Sequence, residues 1–259
     1  MKHRFFLPPA SISQGQVIFP PDLAHQLHDV LRMHPGARVT VLDNAGQEYE
    51  VELEQVQRDR ATGHVRAQWA VQAEPGTSIT LYPCLLKGER MEWVLQKGTE
   101  LGVCAFVPLL SERTVARDAG RMANKRPRWE RIIREAAEQS HRGRLPALHA
   151  PLFFAQACQE SAQAHDLSLI PWEEETRDDL AGVLRARDRR PAHIGLFIGP
   201  EGGFAADEIA LARRWGMQVV TLGPRILRAE TAALAAVAII LSEMGEMSKA
   251  AGSRGSILP

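Results

Sequence analysis

The sequence predicts an α/β protein made of a small β-barrel followed by a larger domain with a mostly parallel, helix-covered sheet. Three observations lead to this fold class. Apolar and polar residues alternate along the first seventy or so positions, a turn-rich break follows at residues 74–78, and apolar strands then alternate with helices. We therefore expect three parts, at residues 1–73, 74–245 and 246–259, the last a small polar tail without fixed structure.

The first part contains one helical and three extended segments, at residues 22–33, 39–43, 49–53 and 64–71. The helix has its apolar residues on one side and ends at His34-Pro35-Gly36. The first two strands flank Asn44-Ala45-Gly46, and the alternation after this turn is typical of a β-hairpin. A small barrel with one short helix fits this pattern.

The second part alternates extended and helical segments. Strands are expected at residues 79–86, 104–109, 167–170, 193–198 and 217–222. Helices are expected at residues 89–101, 125–140, 206–215 and 229–244. This order predicts a parallel sheet covered by helices. In such sheets, ligands bind outside the carboxyl ends of the strands.

Composition indicates a protein with a substantial core and argues against several functions. With 45% hydrophobic residues among 259, the chain can bury a core without disulfides or metals. Cys84, Cys104 and Cys158 form no C-x-x-C pair, so we expect reduced structural thiols and no metal site. No apolar run approaches the length of a membrane span and no export signal is visible, so we expect a cytoplasmic protein without a membrane partner.

Charge is balanced over the whole chain but not locally. The 31 basic and 31 acidic residues cancel, whereas residues 113–144 hold ten Lys or Arg against four Asp or Glu. Such a local excess can neutralise the phosphates of a nucleic acid. A solvated helix face is an equally good interpretation of the same charges.

A glycine-rich turn, Gly199-Pro200-Glu201-Gly202-Gly203, follows the strand expected at residues 193–198. Glycines at the end of a buried strand let the backbone approach a ligand closely. The spacing is not G-x-G-x-x-G and no Walker lysine follows, so the turn fits neither dinucleotide nor nucleoside triphosphate binding. The alternative is a turn that only connects two elements.

A second loop, at residues 222–232, leads from a strand end into the last helix and carries Arg225, Arg228 and Glu230. Glu230 lies in the first helical turn, where the helix dipole favours a carboxylate. Its alternative role is therefore to stabilise the helix start, with Arg225 or Arg228 pairing with it on the surface.

The last helix is apolar on every side between residues 229 and 241. A helix of this kind must be covered on every side. Because one face of a sheet cannot do this alone, either the rest of the chain wraps around the helix or a second subunit covers it. We expect a second subunit, and therefore a dimer interface, here.

Taken together, these segments closely resemble one family. F-I-G-P-E-G-G-F at residues 197–204, L-G-P-R-I-L-R-A-E-T-A at 222–232 and K-G-E-R-M-E-W-V-L-Q-K-G-T-E-L-G-V at 87–103 resemble the small-subunit ribosomal RNA uracil-N3 methyltransferases of the SPOUT superfamily. H-R-F-F at 3–6 and V-L-R-M at 30–33 resemble the PUA-like domain of that family. The resemblance extends over about residues 3–245, and this combination of motifs is specific, whereas the glycine-rich turn alone is not.

The resemblance implies a trefoil-knotted α/β domain behind a PUA-like barrel, and a homodimer with active sites at the subunit interface. It also implies S-adenosylmethionine as cofactor, bound in a bent form by the loops of the knot. The positions that match the cofactor-binding loops are Ile170, Ile198, Gly199, Pro200, Gly202, Gly203, Leu222, Gly223, Ile226 and Leu227.

The resemblance further implies an RNA substrate, either small-subunit (16S) ribosomal RNA or the assembled small ribosomal subunit. Uracil N3 carries a proton that must leave, so the reaction needs a base and a group that stabilises the uracil anion. We expect Arg228 to stabilise the anion, and Glu201 and Glu230 to accept the proton or orient Arg228. The residues expected to contact RNA are His3, Arg4, Arg32, Arg113 and Arg142.

The chain departs from the family pattern at two positions. Ala205 stands where a helix-capping Ser or Thr is usual, and losing such a cap costs about 1 kcal/mol. His141 stands where glycine is usual. Three alternatives remain: another SPOUT reaction such as ribose 2′-O methylation, a non-catalytic RNA-binding assembly factor, and a nucleotide-dependent oxidoreductase, whose fingerprint is absent.

Overall fold

The computed structural model describes residues 3–114 and 119–248, which form two compact units. The described part of the first unit comprises residues 3–74 and Ala137–Leu145. The second comprises Pro75–Ala136 and the residues from Pro146 onward. Arg117, the side chain of Arg121 and residues 249–259 of the expected tail lie outside the described part. Within it, no helix has the length and apolar character needed to span a membrane.

The first unit is built on a six-stranded mixed sheet with one short helix. Its strands are β1 (Arg4–Phe6), β2 (Ile12–Ser13), β3 (Gln16–Phe19), β4 (Arg38–Leu42), β5 (Gln47–Val56) and β6 (Ala61–Ala70), and its helix is α1 (Pro21–His25). The strand order is β1-β4-β5-β6-β3-β2, with β1 and β4 parallel and the other neighbours antiparallel. The predicted hairpin is the pair β4 and β5.

Alternation explains which face of this sheet is buried. In β5, Val51 and Leu53 are buried and Glu54 is exposed, as expected for side chains that point to opposite faces in turn. Val51 and Leu53 belong to one apolar cluster together with Phe5, Val39 and other buried residues of this unit. Strands β1 and β3 were not predicted, because each has no more than four residues and lacks a distinctive pattern.

The helix predicted at residues 22–33 is shorter in the structure. Helix α1 continues into a single wide π-type turn at Gln26–Val30, and the chain leaves the helix at Arg32, whose φ is +48°. A positive φ ends a helix because the next residues cannot continue its hydrogen-bond pattern. The predicted stop lies two residues further on.

Residues 137–145 join the first unit although more than sixty residues separate them from Glu74. Ala137 packs in a small apolar cluster with Phe6 and Leu42 of the sheet. His141, in the position where the resemblance expects glycine, has a φ of +64°. The backbone here is left-handed, a conformation in which a side chain costs about 1–2 kcal/mol, so glycine would adopt it with less strain than His141 does.

A buried ion pair fixes the same segment. The guanidinium of Arg142 donates to Oε2 of Glu74 at 2.8 Å, and Arg142 is only 3% exposed. Oε1 of Glu74 accepts the backbone N–H groups of Gly143 and Arg144 at 2.9 and 3.1 Å. Burial by itself raises the pKa of Glu74, but the hydrogen bond and charge of Arg142 and these N–H donors outweigh it, so the pKa lies below its usual value.

The burial of Arg142 does not agree with its predicted role as an RNA contact. Its guanidinium faces Glu74 inside the unit and not the solvent. A local excess of positive charge in the sequence does not distinguish arginines that meet a distant carboxylate from those that stay free. We therefore leave Arg142 out of the RNA-binding surface.

The second unit is an α/β layer structure. Its strands are β7 (Ser78–Pro83), β8 (Ala105–Phe106), β9 (Leu109–Leu110), β10 (Ala147–Leu148), β11 (Leu152–Phe153), β12 (Leu167–Pro171), β13 (His193–Ile198) and β14 (Gln218–Val220). Its helices are α2 (Arg90–Leu101), α3 (Ala119–Gln139, whose last three residues belong to the first unit), α4 (Phe154–Ala164), α5 (Leu180–Arg185), α6 (Ala206–Arg214) and α7 (Ala229–Glu243). The main sheet has the order β10-β8-β7-β13-β12-β14 with every pair parallel, and β9 and β11 form a small parallel pair.

The parallel α/β fold predicted from the sequence is therefore confirmed, with differences in detail. The strand expected at residues 104–109 is two short strands, interrupted at Pro108, which has no N–H to donate to a neighbouring strand. Helix α3 begins six residues before the predicted start and contains Pro127. Helices α4 and α5 were not predicted.

Helices cover both faces of the main sheet. In β13, Leu196 and Ile198 belong to one apolar cluster, which also includes residues of α2, α5 and α7. Phe197, between them, points the other way into a second cluster with residues of α4 and α6. This burial on both sides explains why β13 reads as a continuous apolar run.

The cysteines are free, as expected of structural thiols. Cys84 and Cys158 are buried, and burial raises the pKa of each thiol to about 12. Among the described residues, no group of three or more His, Cys, Asp or Glu side chains is arranged to hold a metal ion.

Replacing Arg142 by alanine should destabilise the first unit by about 3 kcal/mol or more, because it leaves the partly buried carboxylate of Glu74 without its charged partner. Chemical denaturation measures this change. Arg144→Ala is the control, since Arg144 lies two residues away and is exposed. Equal stability of the two variants would contradict the assignment.

The contribution of Glu74 should also depend on pH. Its pKa is lowered by folding, so the stabilisation is complete above the unfolded value, about 4.3, and is lost as the pH falls through the folded value. We expect Glu74→Gln to be clearly less stable than the unaltered protein at pH 7, and the difference to shrink below about pH 4. A difference that stays constant down to about pH 3 would argue against an ionised Glu74.

Candidate active site

A cavity of about 810 Å³ lies within the second unit, where the carboxyl ends of three neighbouring strands meet. Its walls come from the segments that follow β12, β13 and β14, together with the first residues of α2 and α7. This is the edge at which parallel sheets bind ligands, and the volume is in the range of small-molecule sites.

Eight of the ten residues predicted to bind the cofactor line this one cavity: Ile198, Gly199, Pro200, Gly203, Leu222, Gly223, Ile226 and Leu227. The other two, Ile170 and Gly202, do not. Ile170 is fully buried in the apolar cluster beneath α4 and α6, and its neighbours Pro171 and Trp172 form the wall in its place.

The glycine-rich turn is held by contacts of its own backbone and by Arg113. The N–H of Gly203 donates to the carbonyl of Pro200 at 3.0 Å, and Nη1 of Arg113 donates to the carbonyl of Gly202 at 2.8 Å. Gly203 has a φ of +66°, and a Cβ placed there would collide with Oε1 of Glu173. Glycine is required at this position for two reasons, backbone conformation and space.

Helix α6 begins at Ala206, shortly after the turn. Its cap residue, Ala205, has no hydroxyl group that could accept a backbone N–H of the first helical turn. Glu208 compensates in part: its Oε2 accepts the backbone N–H of Ala205 at 3.0 Å, which is one half of a capping box. Its Oε1 accepts the N–H of Glu112 at 2.9 Å. The carboxylate of Glu208 therefore joins the start of α6 to the segment that carries Arg113.

The loop between β14 and α7 forms the opposite wall. Gly223 has a φ of +99° and its N–H donates to Oγ1 of Thr221 at 3.2 Å. Ile226 is 90% exposed, the highest value among the exposed large apolar side chains of the described residues. Arg228 occupies the cap position of α7, lines the cavity and is exposed.

The two predicted acidic residues are joined by Arg90. Glu201 lines the cavity, and its Oε1 accepts Nη1 of Arg90 at 3.0 Å and the backbone N–H of Lys87 at 3.2 Å. Glu230 does not line the cavity. Its Oε1 lies 3.8 Å from Nε of Arg90, and its Oε2 is buried without a hydrogen-bond partner among the described residues.

Arg90, Trp172 and Glu173 are among the wall residues that sequence reasoning missed. Arg90 and Glu201 are 111 positions apart, so no local pattern connects them. Trp172 lies two residues after the end of the predicted strand at residues 167–170, and that position is a usable signal. Its indole lies 6.0 Å from the guanidinium carbon of Arg213, which also binds Glu175 at 2.9 Å.

The predicted RNA contacts fall into two groups. Arg113 belongs to the second unit and is exposed, although it also supports the glycine-rich turn. His3 and Arg32 lie on the surface of the first unit, with His3 exposed and Arg32 exposed in the left-handed turn that ends the helical segment. The side chain of Arg4 is 10% exposed and binds Glu48 at 2.8 Å, so it contributes mainly to the internal structure of the sheet.

Replacing single glycines by alanine should show which position of the glycine-rich turn matters for stability and cofactor binding. Gly203→Ala must adopt an unfavourable φ and displace Glu173, so we expect a loss of about 1–2 kcal/mol of stability and at least a roughly tenfold weaker affinity for S-adenosylmethionine. Gly202→Ala, whose added methyl would approach the nearest atoms of Arg113 only to 3.6 Å, is the matched control. Calorimetric titration with the cofactor measures both variants. Similar affinities would contradict this account of the turn.

Comparison with known proteins identifies the family to which the chain belongs. Residues 73–241 match the family model of the RNA methyltransferase domain, and residues 27–65 match that of the RNA methyltransferase PUA domain. The ribosomal RNA small subunit methyltransferase E of Synechocystis is 37% identical over 93% of this chain and 77% of its own length. That of Bacillus subtilis is 33% identical over 83% and 86%.

Solved structures give the same result. A Legionella pneumophila methyltransferase in complex with SAM superposes with a TM-score of 0.83 at 32% identity, over 93% of this chain and 98% of that one. The ribosomal RNA small subunit methyltransferase E of Neisseria gonorrhoeae, bound to S-adenosylmethionine, gives 0.82 at 33% identity over the same shares. The chain therefore belongs to the family of PUA-containing RNA methyltransferases that includes the ribosomal RNA small subunit methyltransferases E.

Proposed function

We propose that this protein transfers the methyl group of S-adenosylmethionine to N3 of a uridine in small-subunit (16S) ribosomal RNA. The observation that carries the proposal is the one cavity lined by eight of the predicted cofactor residues. The similarity of the chain to proteins whose structures contain S-adenosylmethionine supports the choice of cofactor. Because its substrate is ribosomal RNA, we place the protein in the cytoplasm.

The residues of the cavity fit this cofactor. Gly223 has a positive φ and nothing within 4 Å of the position that a Cβ would take, so the backbone there is open to a close approach. The buried Nε1 of Trp172 has no hydrogen-bond partner among the described residues. The segments 198–204 and 221–229 would hold the cofactor between them. When bound, S-adenosylmethionine supplies a methyl group activated for in-line displacement by its positively charged sulfur.

The side chains that line the cavity have separate roles in the proposed reaction. Arg228 stabilises the negative charge that develops on the uracil ring as the N3 proton leaves. Glu201 is the better candidate for accepting that proton, because it lines the cavity and Glu230 does not. N3 then forms its bond to the methyl carbon as the carbon–sulfur bond breaks, and the neutral thioether leaves.

RNA binding is proposed for exposed basic residues of both units. His3 and Arg32 present positive or polar groups on the first unit, and Arg113 does so on the second. Several arginines of α3 pair with acidic neighbours, Arg126 with Glu130 and Arg128 with Glu92, each at 2.7 Å. These pairs reduce the excess of positive charge that the sequence predicts for helix α3. We therefore expect basic residues outside helix α3 to make part of the phosphate contacts.

A homodimer is proposed from the surface of α7. One side of the helix is buried under the sheet cluster, at Ala233, Val237 and Ile240 among others, whereas Leu234 is only partly covered. The exposed Ile226 lies in the loop that precedes the same helix. An apolar helix with one side incompletely covered is the feature that a second copy of the chain would cover.

The reaction itself is tested with labelled S-adenosylmethionine and small ribosomal subunits from a strain that lacks the corresponding gene. Labelled N3-methyluridine is the expected product after digestion of the RNA. A ribose-methylated nucleoside would instead support another SPOUT reaction. Bound cofactor without any labelled product would count against the proposed substrate.

Arg228→Ala should lower kcat by about 100-fold or more, the usual effect of removing a group that stabilises developing charge, while cofactor affinity changes little. Arg214→Ala, at an exposed position of α6 outside the cavity, is the control. Unchanged turnover of the Arg228 variant would refute its role.

Placing a charge on the partly covered side of α7 tests the dimer. Leu234→Glu should convert a dimer to a monomer at micromolar concentration, as measured by light scattering after size exclusion. The substitution Ser242→Glu, at an exposed position near the end of the same helix, should leave the dimer intact. A monomeric unaltered protein would refute the proposed interface.

A further inference from the structure

Arg90 joins the two carboxylates that the sequence analysis singled out. It is the first residue of α2 and lines the cavity. Its Nη1 donates to Glu201 at 3.0 Å, and its Nε lies 3.8 Å from the nearer oxygen of Glu230. One guanidinium is therefore within ion-pair distance of both the glycine-rich turn and the first turn of the last helix.

The charges make this contact more than a matter of packing. The side chain of Glu230 is 15% exposed, and a carboxylate so far removed from water is costly unless a positive charge compensates it. One guanidinium beside two carboxylates leaves a net charge of −1. Two carboxylates therefore share one positive charge.

The two carboxylates share this guanidinium unequally. Glu201 has the short contact and a second donor, the backbone N–H of Lys87. Glu230 has the longer contact and an oxygen without a hydrogen-bond partner among the described residues. Arg90 thus holds a carboxylate that lines the cavity, Glu201, and lies within ion-pair distance of one that does not, Glu230.

The backbone of the glycine-rich turn, in contrast, has supports that do not involve Arg90. Arg113 donates to a carbonyl of the turn, and the turn closes with a backbone hydrogen bond between its own residues. Loss of Arg90 therefore removes the charged partner of Glu201, which keeps the N–H of Lys87, and leaves these supports of the turn in place. Cofactor binding and proton acceptance should respond differently to the same substitution.

We propose that Arg90 is a positioning residue for methyl transfer. It acts through Glu201 and Glu230, holding the first in the orientation from which it accepts the N3 proton and compensating the buried charge of the second. The inference rests on the proposed function, since it concerns the same site.

A double-mutant cycle between Arg90 and Glu201 tests the proposal. In the unaltered background, Arg90→Ala should lower kcat about tenfold, the size of coupling between contacting residues, and should change cofactor affinity less than about threefold. In a Glu201→Gln background the same substitution should lower kcat less than about twofold further, because the group on which Arg90 acts is already neutral. Arg90→Lys should recover only part of kcat, because one ammonium cannot match the two separate N–H contacts.

The control is Arg185→Ala, which removes an exposed ion pair with Glu243 at the far end of α7 and should leave kcat unchanged. Three results would overturn the proposal: unchanged kcat in Arg90→Ala, effects of the two substitutions that multiply independently, or a raised KM for the ribosomal subunit at constant kcat. The last result would make Arg90 an RNA contact. Failure of the unaltered protein to methylate would instead overturn the proposed function itself, so the two failures are distinguishable.

Discussion

The parallel pairing of β13 with β7 fixes the geometry of the cavity. Six residue pairs, from His193 beside Ser78 to Ile198 beside Pro83, set the register. Because side chains alternate between faces, a slip of one residue would exchange Leu196 and Phe197 between two different apolar clusters, and burial on both faces excludes it. This register brings the glycine-rich turn after β13 next to the segment after β7, and it is therefore the reason that Glu201 meets Arg90.

Each unit contains an ion-pair group of arginine and glutamate, but the two groups have different roles. The pair of Arg142 and Glu74 is buried and saturated by backbone donors, so it secures a chain segment and leaves no charge for chemistry. The group of Arg90, Glu201 and Glu230 has one positive charge for two negative ones and faces a cavity. The ratio of charges and the access to a ligand, more than the residue types, separate a structural pair from a reactive one.

Much of the fold, and the parts of the cavity wall that follow β13 and β14, could be predicted from local patterns. Buried strands such as β13, the stop at Gly102 and the glycine-rich turn are encoded within a few residues. Contacts between distant positions could not be predicted. Nothing in the sequence indicates that Arg142 contacts Glu74, and Arg142 is therefore predicted to contact RNA instead. Nothing in the sequence indicates that Arg90 contacts Glu201 either. Short strands such as β1 depend on their neighbours and carry too little pattern of their own.

The return of residues 137–145 to the first unit has a consequence for biosynthesis. This unit is discontinuous in the chain, and its closing segment leaves the ribosome more than sixty residues after Glu74. A nascent chain that ends at residue 74 has neither Arg142 for its carboxylate nor Ala137 and Leu145 for the apolar surface around Phe6. A fragment that ends at residue 74 therefore lacks part of the first unit, and a fragment must extend to Leu145 to contain all of its described residues. The last contacts of this unit can form only after α3 has been synthesised.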